Sequence, residues 1–117
     1  MTRPVTRDEC GGASVLAVAL IGLLLLLGTA LAAVTGLVVA HRQAQSAADL
    51  AALGAATALA AGQDGCARGA SIAAANGARL LGCVVQGRAV LVRAQVDGPW
   101  WRGSGGDPTA EARAGPQ

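Results

Sequence analysis

Three kinds of residue in this chain can do chemistry. They are the thiols of Cys10, Cys66 and Cys83, the lone histidine His41, and a scatter of seven acids and nine arginines. The cysteines have no C-x-x-C spacing, and one imidazole cannot complete a zinc set. In an oxidising compartment Cys66 and Cys83 can instead join as a disulfide. Closing the loop between them is worth roughly 3 kcal/mol in the chain-entropy account, a large share of the stability of a thin core. Cys10 is separated from both by a long apolar run and is expected to stay a free thiol. No hydroxyl, base and acid are grouped as a triad. The glycine-rich "GSGG" and "GGDPTAE" follow no strand and carry no lysine, so neither reads as a phosphate loop. His41, beside Arg42, reads as an interfacial side chain. No catalytic, metal or cofactor site is legible, and the chain does not read as an enzyme.

The elements that hold these groups are dominated by one stretch. Residues 13–40 contain no charge, and their polar side chains are Ser14, Thr29 and Thr35 alone. As a helix this run is roughly 42 Å long, more than the ~30 Å of hydrocarbon in a bilayer. It therefore reads as one transmembrane helix in the plasma membrane, in contact with lipid. Asp8 and Glu9 mark its aqueous edge, and Gly11-Gly12 stand at the boundary. Arg3 and Arg7 on one flank against Arg42 on the other give a slight positive-inside bias. With the cysteine pair wanting an oxidising side, this favours segment 1–12 in the cytoplasm and the carboxyl part outside. The competing reading is a secretory signal. Ala30-Leu31-Ala32 has the small-x-small form of a signal peptidase site, which would release a small binding protein after Ala32. Against it, the apolar run continues through Val34, Leu37, Val38 and Val39, and two acids dilute the positive flank.

Beyond the membrane, "HRQAQSAADLAALGAATALAAG" is rich in helix formers and extends the helix over 41–61. Gly28, Ala32, Gly36, Ala40, Ala44, Ala48, Ala52, Ala56 and Ala60 put a small residue at every fourth position. Such a stripe allows another helix to approach closely, although a chain that is about a quarter alanine also produces stripes by composition. Ser46-Ala47-Ala48-Asp49 has capping-box spacing and can mark a break. Alternatively, Asp49 faces water or pairs with a basic group on a neighbouring subunit.

"GQDG" at 62–65 reads as a turn, followed by a short helix from Cys66 to a stop at Asn76-Gly77. "LLGCVVQGRAVLVRAQV" reads as a β-hairpin turning at Gln86-Gly87. That turn sets Val85 opposite Arg88, Cys83 opposite Val90 and Leu81 opposite Val92. One face then carries Leu81, Cys83, Val85, Val90, Val92, Ala94 and Val96, with Cys83 where a helix bearing Cys66 can dock. Residues 62–97 thus form a small extracytoplasmic unit, and the Gly- and Pro-rich 98–117 a disordered tail. Trp100-Trp101 is expected to pack on the hairpin or meet a partner. The fold class is mainly α with a small α+β tail domain: a long membrane helix continuing outside, a short helix and a hairpin, tied by the disulfide. A net charge of +2 spread over single arginines excludes a nucleic-acid surface.

The order "GGASVLAVALIG", "HRQAQSAADLAALGAATALA" and "GCARGASIAAANGARLLGCVVQGRAVLVRAQV" resembles the TadE-like proteins of actinobacteria, as does "EARAGP" near the end. The resemblance runs from about Asp8 to Val96. It implies a pseudopilin-related subunit of tight-adherence pili or an associated secretion system. Its partners would be pilin-like or homotypic membrane helices and the pilus or secretion machinery, met along Gly28, Ala32, Gly36, Ala40, Ala44 and Ala48. It also implies a prepilin-type cut after Gly11 or Gly12, the latter exposing Ala13. The sequence departs from a pilin where a glutamate belongs five residues after the cut. Leu16 or Ala17 stands there, which puts filament incorporation and the cut itself in question.

Overall fold

The computed structural model describes residues 7–98 and 106–116, with side chains from Gly11 onward. Helix α1 spans Arg7–Ala60 and α2 Gly65–Ala75, followed by strands β1 Ala78–Gln86, β2 Ala89–Val96 and β3 Thr109–Ala114. The chain divides into two compact units, the first ending at Thr35 and the second beginning at Gly36.

The first unit is α1 as far as Thr35. Leucine and alanine favour the helix, and no proline interrupts it. Its apolar side chains stay exposed, with Leu24 at 67% and Leu31 at 68%. The hydroxyls of Thr29 and Thr35 donate to the carbonyls of Leu26 and Leu31 at 2.9 and 2.8 Å. Those polar groups are satisfied within the helix, as a lipid environment demands.

In the second unit α1 runs without a break through Ser46 and Asp49, so the capping-box spacing is not used. Asp49 is exposed and accepts from Gln45 Nε2 at 3.1 Å, one helical turn away. The helix stops at Gly62, whose φ of 75° ends the regular bonding, and Gly62 N–H donates to the Leu59 carbonyl. Asp64 then caps α2, accepting from the Ala67 N–H at 3.1 Å. At the far end Asn76 caps α2 and Gly77 turns the chain at φ 72°, the helix stop expected from the sequence.

The three strands form one antiparallel sheet in the order β1-β2-β3. Gln86 pairs with Ala89, so the turn is Gly87-Arg88, one residue later than expected. The reason is local: Gly87 takes φ 64°, which a two-residue hairpin loop requires and Gln86 would adopt only under strain. Cys83 accordingly faces Val92, and Val85 faces Val90. A bulge between Leu80 and Gly82 moves Leu81 out of the expected face and puts Leu80 on it, opposite Ala94.

Residues 109–114, expected within a disordered tail, form β3 along β2. Ala110 is buried and Ala112 and Ala114 pack against the core, while Glu111 stands opposite Arg93 with its carboxylate 3.1 Å from Nε. A strand of such low β propensity exists because β2 offers it a ladder and a core face.

The core is built almost wholly from alanine and valine. Ala44, Ala47, Ala48, Ala51, Ala52 and Ala55 of α1 meet Ala73 of α2 and Val90, Val92, Ala94 and Val96 of β2. Alanine cores are dense only where backbones approach closely, and α2 shows how this is met. Its buried residues are Gly65, Gly69 and Ala73. A methyl group on Gly65 would stand 2.7 Å from the Ala55 carbonyl oxygen, and one on Gly69 3.3 Å from that of Ala51. The Cys66–Cys83 disulfide then ties α2 to β1, with the two Cα atoms 5.8 Å apart.

Two stability changes follow. Gly65→Ala gains helix propensity but drives a methyl into backbone, so urea unfolding of the detergent-solubilised chain should show a net loss of about 1–3 kcal/mol. Replacing both bridged cysteines by serine should lower the unfolding free energy measured in the same way by roughly 3 kcal/mol, the loop-closure contribution.

Candidate functional site

Gly11, Gly12 and Ala13 lie inside α1, exposed, with no break in the helix at the expected water–lipid boundary. No atom comes within 4 Å of a methyl placed on either glycine. The backbone there is thus open on every side, but wound as helix. The same is true of Gly22 and Gly28.

The small-residue stripe divides into two parts. Gly28 and Ala32 are exposed and Gly36 is half-buried, whereas Ala40, Ala44 and Ala48 are buried. Ala44 and Ala48 belong to the chain's own core and cannot serve as a partner surface. Ala40, Ala44, Ala48 and Ala52 of the stripe are all buried in the second unit, whereas around Gly28 the helix is exposed on every side and Ala32 is itself exposed. The face that α1 buries there adds Ala47, Ala51, Ala55 and Ala58 to those four, so it is broader than the stripe. The close small-residue contact between helices does occur, but within the chain, between this face and Gly65, Gly69 and Ala73.

Cys66 and Cys83 are brought together as expected, and their bridge leaves no reactive thiol in this unit. His41 and Arg42 are both exposed. Gln43, close by, donates from Nε2 to the Asn76 carbonyl at 3.3 Å and fastens the end of α2 to α1. The expectations for Trp100 and Trp101, and for the side chain of Cys10, fall outside the described residues.

Sequence reasoning missed a shallow groove on the outer side of the α1–α2 pair. Leu50, Leu53, Gly54 and Thr57 of α1 line it with Ile72 and Arg68 of α2. Ile72 lies across Gly54, filling the space a side chain there would need. The signal was present: Leu50, Leu53 and Thr57 recur at i, i+3 and i+7, away from the buried alanines. Nothing in the groove is arranged for bond-making. Its chemistry is that of a contact surface, apolar in the middle with a guanidinium at the rim.

The two halves of the stripe should respond differently to bulk. Ala48→Leu should destabilise the second unit by about 1–3 kcal/mol through overpacking. Gly28→Leu should leave its unfolding midpoint unchanged, and equal losses for both would contradict the division.

No curated protein and no solved structure is matched by the chain. A family model does match, over residues 11–77, and is described as putative Flp pilus-assembly TadE/G-like. That span contains the apolar helix, its helical extension, the Asp64 cap and the whole of α2 with Cys66. It is more than half of the sequence. The chain belongs to the TadE/G-like family of putative Flp pilus-assembly proteins.

Proposed function

We propose that this protein is a single-pass membrane subunit that serves pilus assembly, or a related secretion system, as a minor pseudopilin-like structural component. The observation that carries the reading is the helix from Ala13 to Ala40, uncharged and with its leucines exposed as far as Leu31, in a chain of the TadE/G-like family. An apolar surface of that length is stable in water only if something covers it, and a bilayer covers it completely. The orientation we favour puts the amino terminus in the cytoplasm and the second unit outside, where its disulfide persists. The role is one of packing, with no reaction assigned to any residue. Its partners are the helices of pilin-like chains or of further copies.

Gly11 and Gly12 are where a prepilin-type peptidase would act. Cleavage there would leave the whole apolar segment in place, so the membrane reading holds with or without it. Leu16 and Ala17 stand where a pilin carries its glutamate, so an acid at that place does not set the register between subunits.

Mass spectrometry of the chain from its native membrane tests this reading, together with alkaline carbonate extraction. The expected result is retention in the membrane pellet with an amino terminus at Met1, Thr2, Gly12 or Ala13. A chain beginning at Ala33 and found free of the membrane would establish the secreted alternative.

A further inference from the structure

After α1 the chain comes back twice to the end of the second unit at which that helix enters. Gln43 Nε2 donates to the Asn76 carbonyl at 3.3 Å, and a methyl on Gly77 would stand 2.9 Å from the same nitrogen, so α2 ends at the level of Gln43. β1 starts there, and its first residue, Ala78, pairs with Val96, the last of β2. The chain leaves β2 and returns to β3 through one neck. Val96 N–H donates to the Pro108 carbonyl at 3.0 Å, and Gly98 N–H to Asp107 Oδ1 at 2.8 Å. This end lies close to the uncharged run, because Gln43 is three residues past Ala40, about 4.5 Å of helical rise. The folded unit also covers α1 within the run. Ala40 is 8% exposed and Leu37 is half-buried, whereas Val38 and Val39 are 47% and 57% exposed.

We propose that this end of the second unit, formed by Asn76-Gly77, Asp97-Gly98 and Gly106 to Pro108, rests in the phospholipid headgroup layer of the bilayer that α1 crosses. The proposal rests on the membrane reading above. Each headgroup layer is roughly 5–7 Å deep, so the level of Gln43 falls inside it even when the hydrocarbon reaches as far as Ala40. The sequence beside the neck agrees. Trp100 and Trp101, in a chain without Phe or Tyr, follow Gly98 by two and three positions. Covalent geometry alone holds their Cα atoms within about 7 and 11 Å of that of Gly98. The headgroup level is where an indole, an apolar ring with one N–H donor, is most favourable. Arg42 and Arg79, exposed near this end, offer two guanidinium groups to lipid phosphates, against one exposed acid there among the described residues, Asp97. The second unit is thereby seated on the membrane rather than raised above it on a stalk of helix.

Fluorescence quenching tests the seating, using the full-length chain with Cys10→Ser reconstituted in phosphatidylcholine vesicles. Single introduced cysteines at exposed positions carry an NBD label. Asp97→Cys and Thr109→Cys place it at this end, and Arg88→Cys at the hairpin turn, roughly 25 Å away along the strands. Phosphatidylcholine with a nitroxide on its headgroup should quench most of the emission from the first two labels and leave the third almost unchanged. The unlabelled chain gives a second reading free of any substitution in this unit, because its two tryptophans should be quenched by the same lipid. Intact emission from the first two labels, or from the tryptophans, in a chain that resists carbonate extraction would overturn the proposal and leave the membrane reading standing. Equal quenching of all three labels would overturn it too, since the unit would then lie flat on the bilayer. Release of the chain by carbonate would instead remove the reading on which the proposal rests.

Discussion

The second unit depends on how closely the backbones of α1 and α2 can approach. No phenylalanine or tyrosine is available to fill space, and the largest fully buried side chains are Val90 and Val92. A core of that kind reaches normal density only if main chains take the place of side chains. Gly65 and Gly69 make this possible by leaving nothing between α2 and the carbonyls of Ala55 and Ala51. The position of α2 then fixes β1 through Cys66–Cys83, β1 fixes the register of β2, and β2 supports β3. Burying methyl groups yields little hydrophobic free energy per residue. The covalent tie is therefore a substantial fraction of what holds the unit together.

The first unit solves the opposite problem. From Ala13 to Thr35 it carries no charge and leaves its leucines exposed, so stability in water would need a cover for them. What it does provide is the regular hydrogen bonding of a helix and partners within it for the Thr29 and Thr35 hydroxyls. Hydrocarbon suits such a surface, and the TadE/G-like family match spans the same residues.

Much of this was legible in the sequence because it rests on local chemistry. An uncharged run of leucine and alanine fixes a helix, Asn76-Gly77 stops one, and two cysteines on one side of the apolar run find each other. Three features were not legible, each because a non-local or geometric term decides it. The every-fourth-residue stripe could not show that α2 and the sheet fold back to cover Ala40, Ala44, Ala48 and Ala52 while nothing packs around Gly28. The hairpin slipped by one residue because the positive φ belongs to Gly87, and the Leu80–Gly82 bulge exchanged Leu81 for Leu80. β3 could not be read from "TAEARA", since nothing in that segment favours a strand until β2 lies beside it. The candidate contact surface was half legible: the spacing of Leu50, Leu53 and Thr57 lies in α1, but its rim comes from α2.

β3 also has a bearing on how the protein tolerates crowding. β2, with its buried valines, would be an adhesive edge if left bare, ready to recruit a strand from any neighbour. β3 covers it with six residues whose outward side chains include Glu111 and Arg113, and a short charged strand is a poor template for further growth. That side of the sheet is therefore closed to further strand pairing, and β1 remains its other edge.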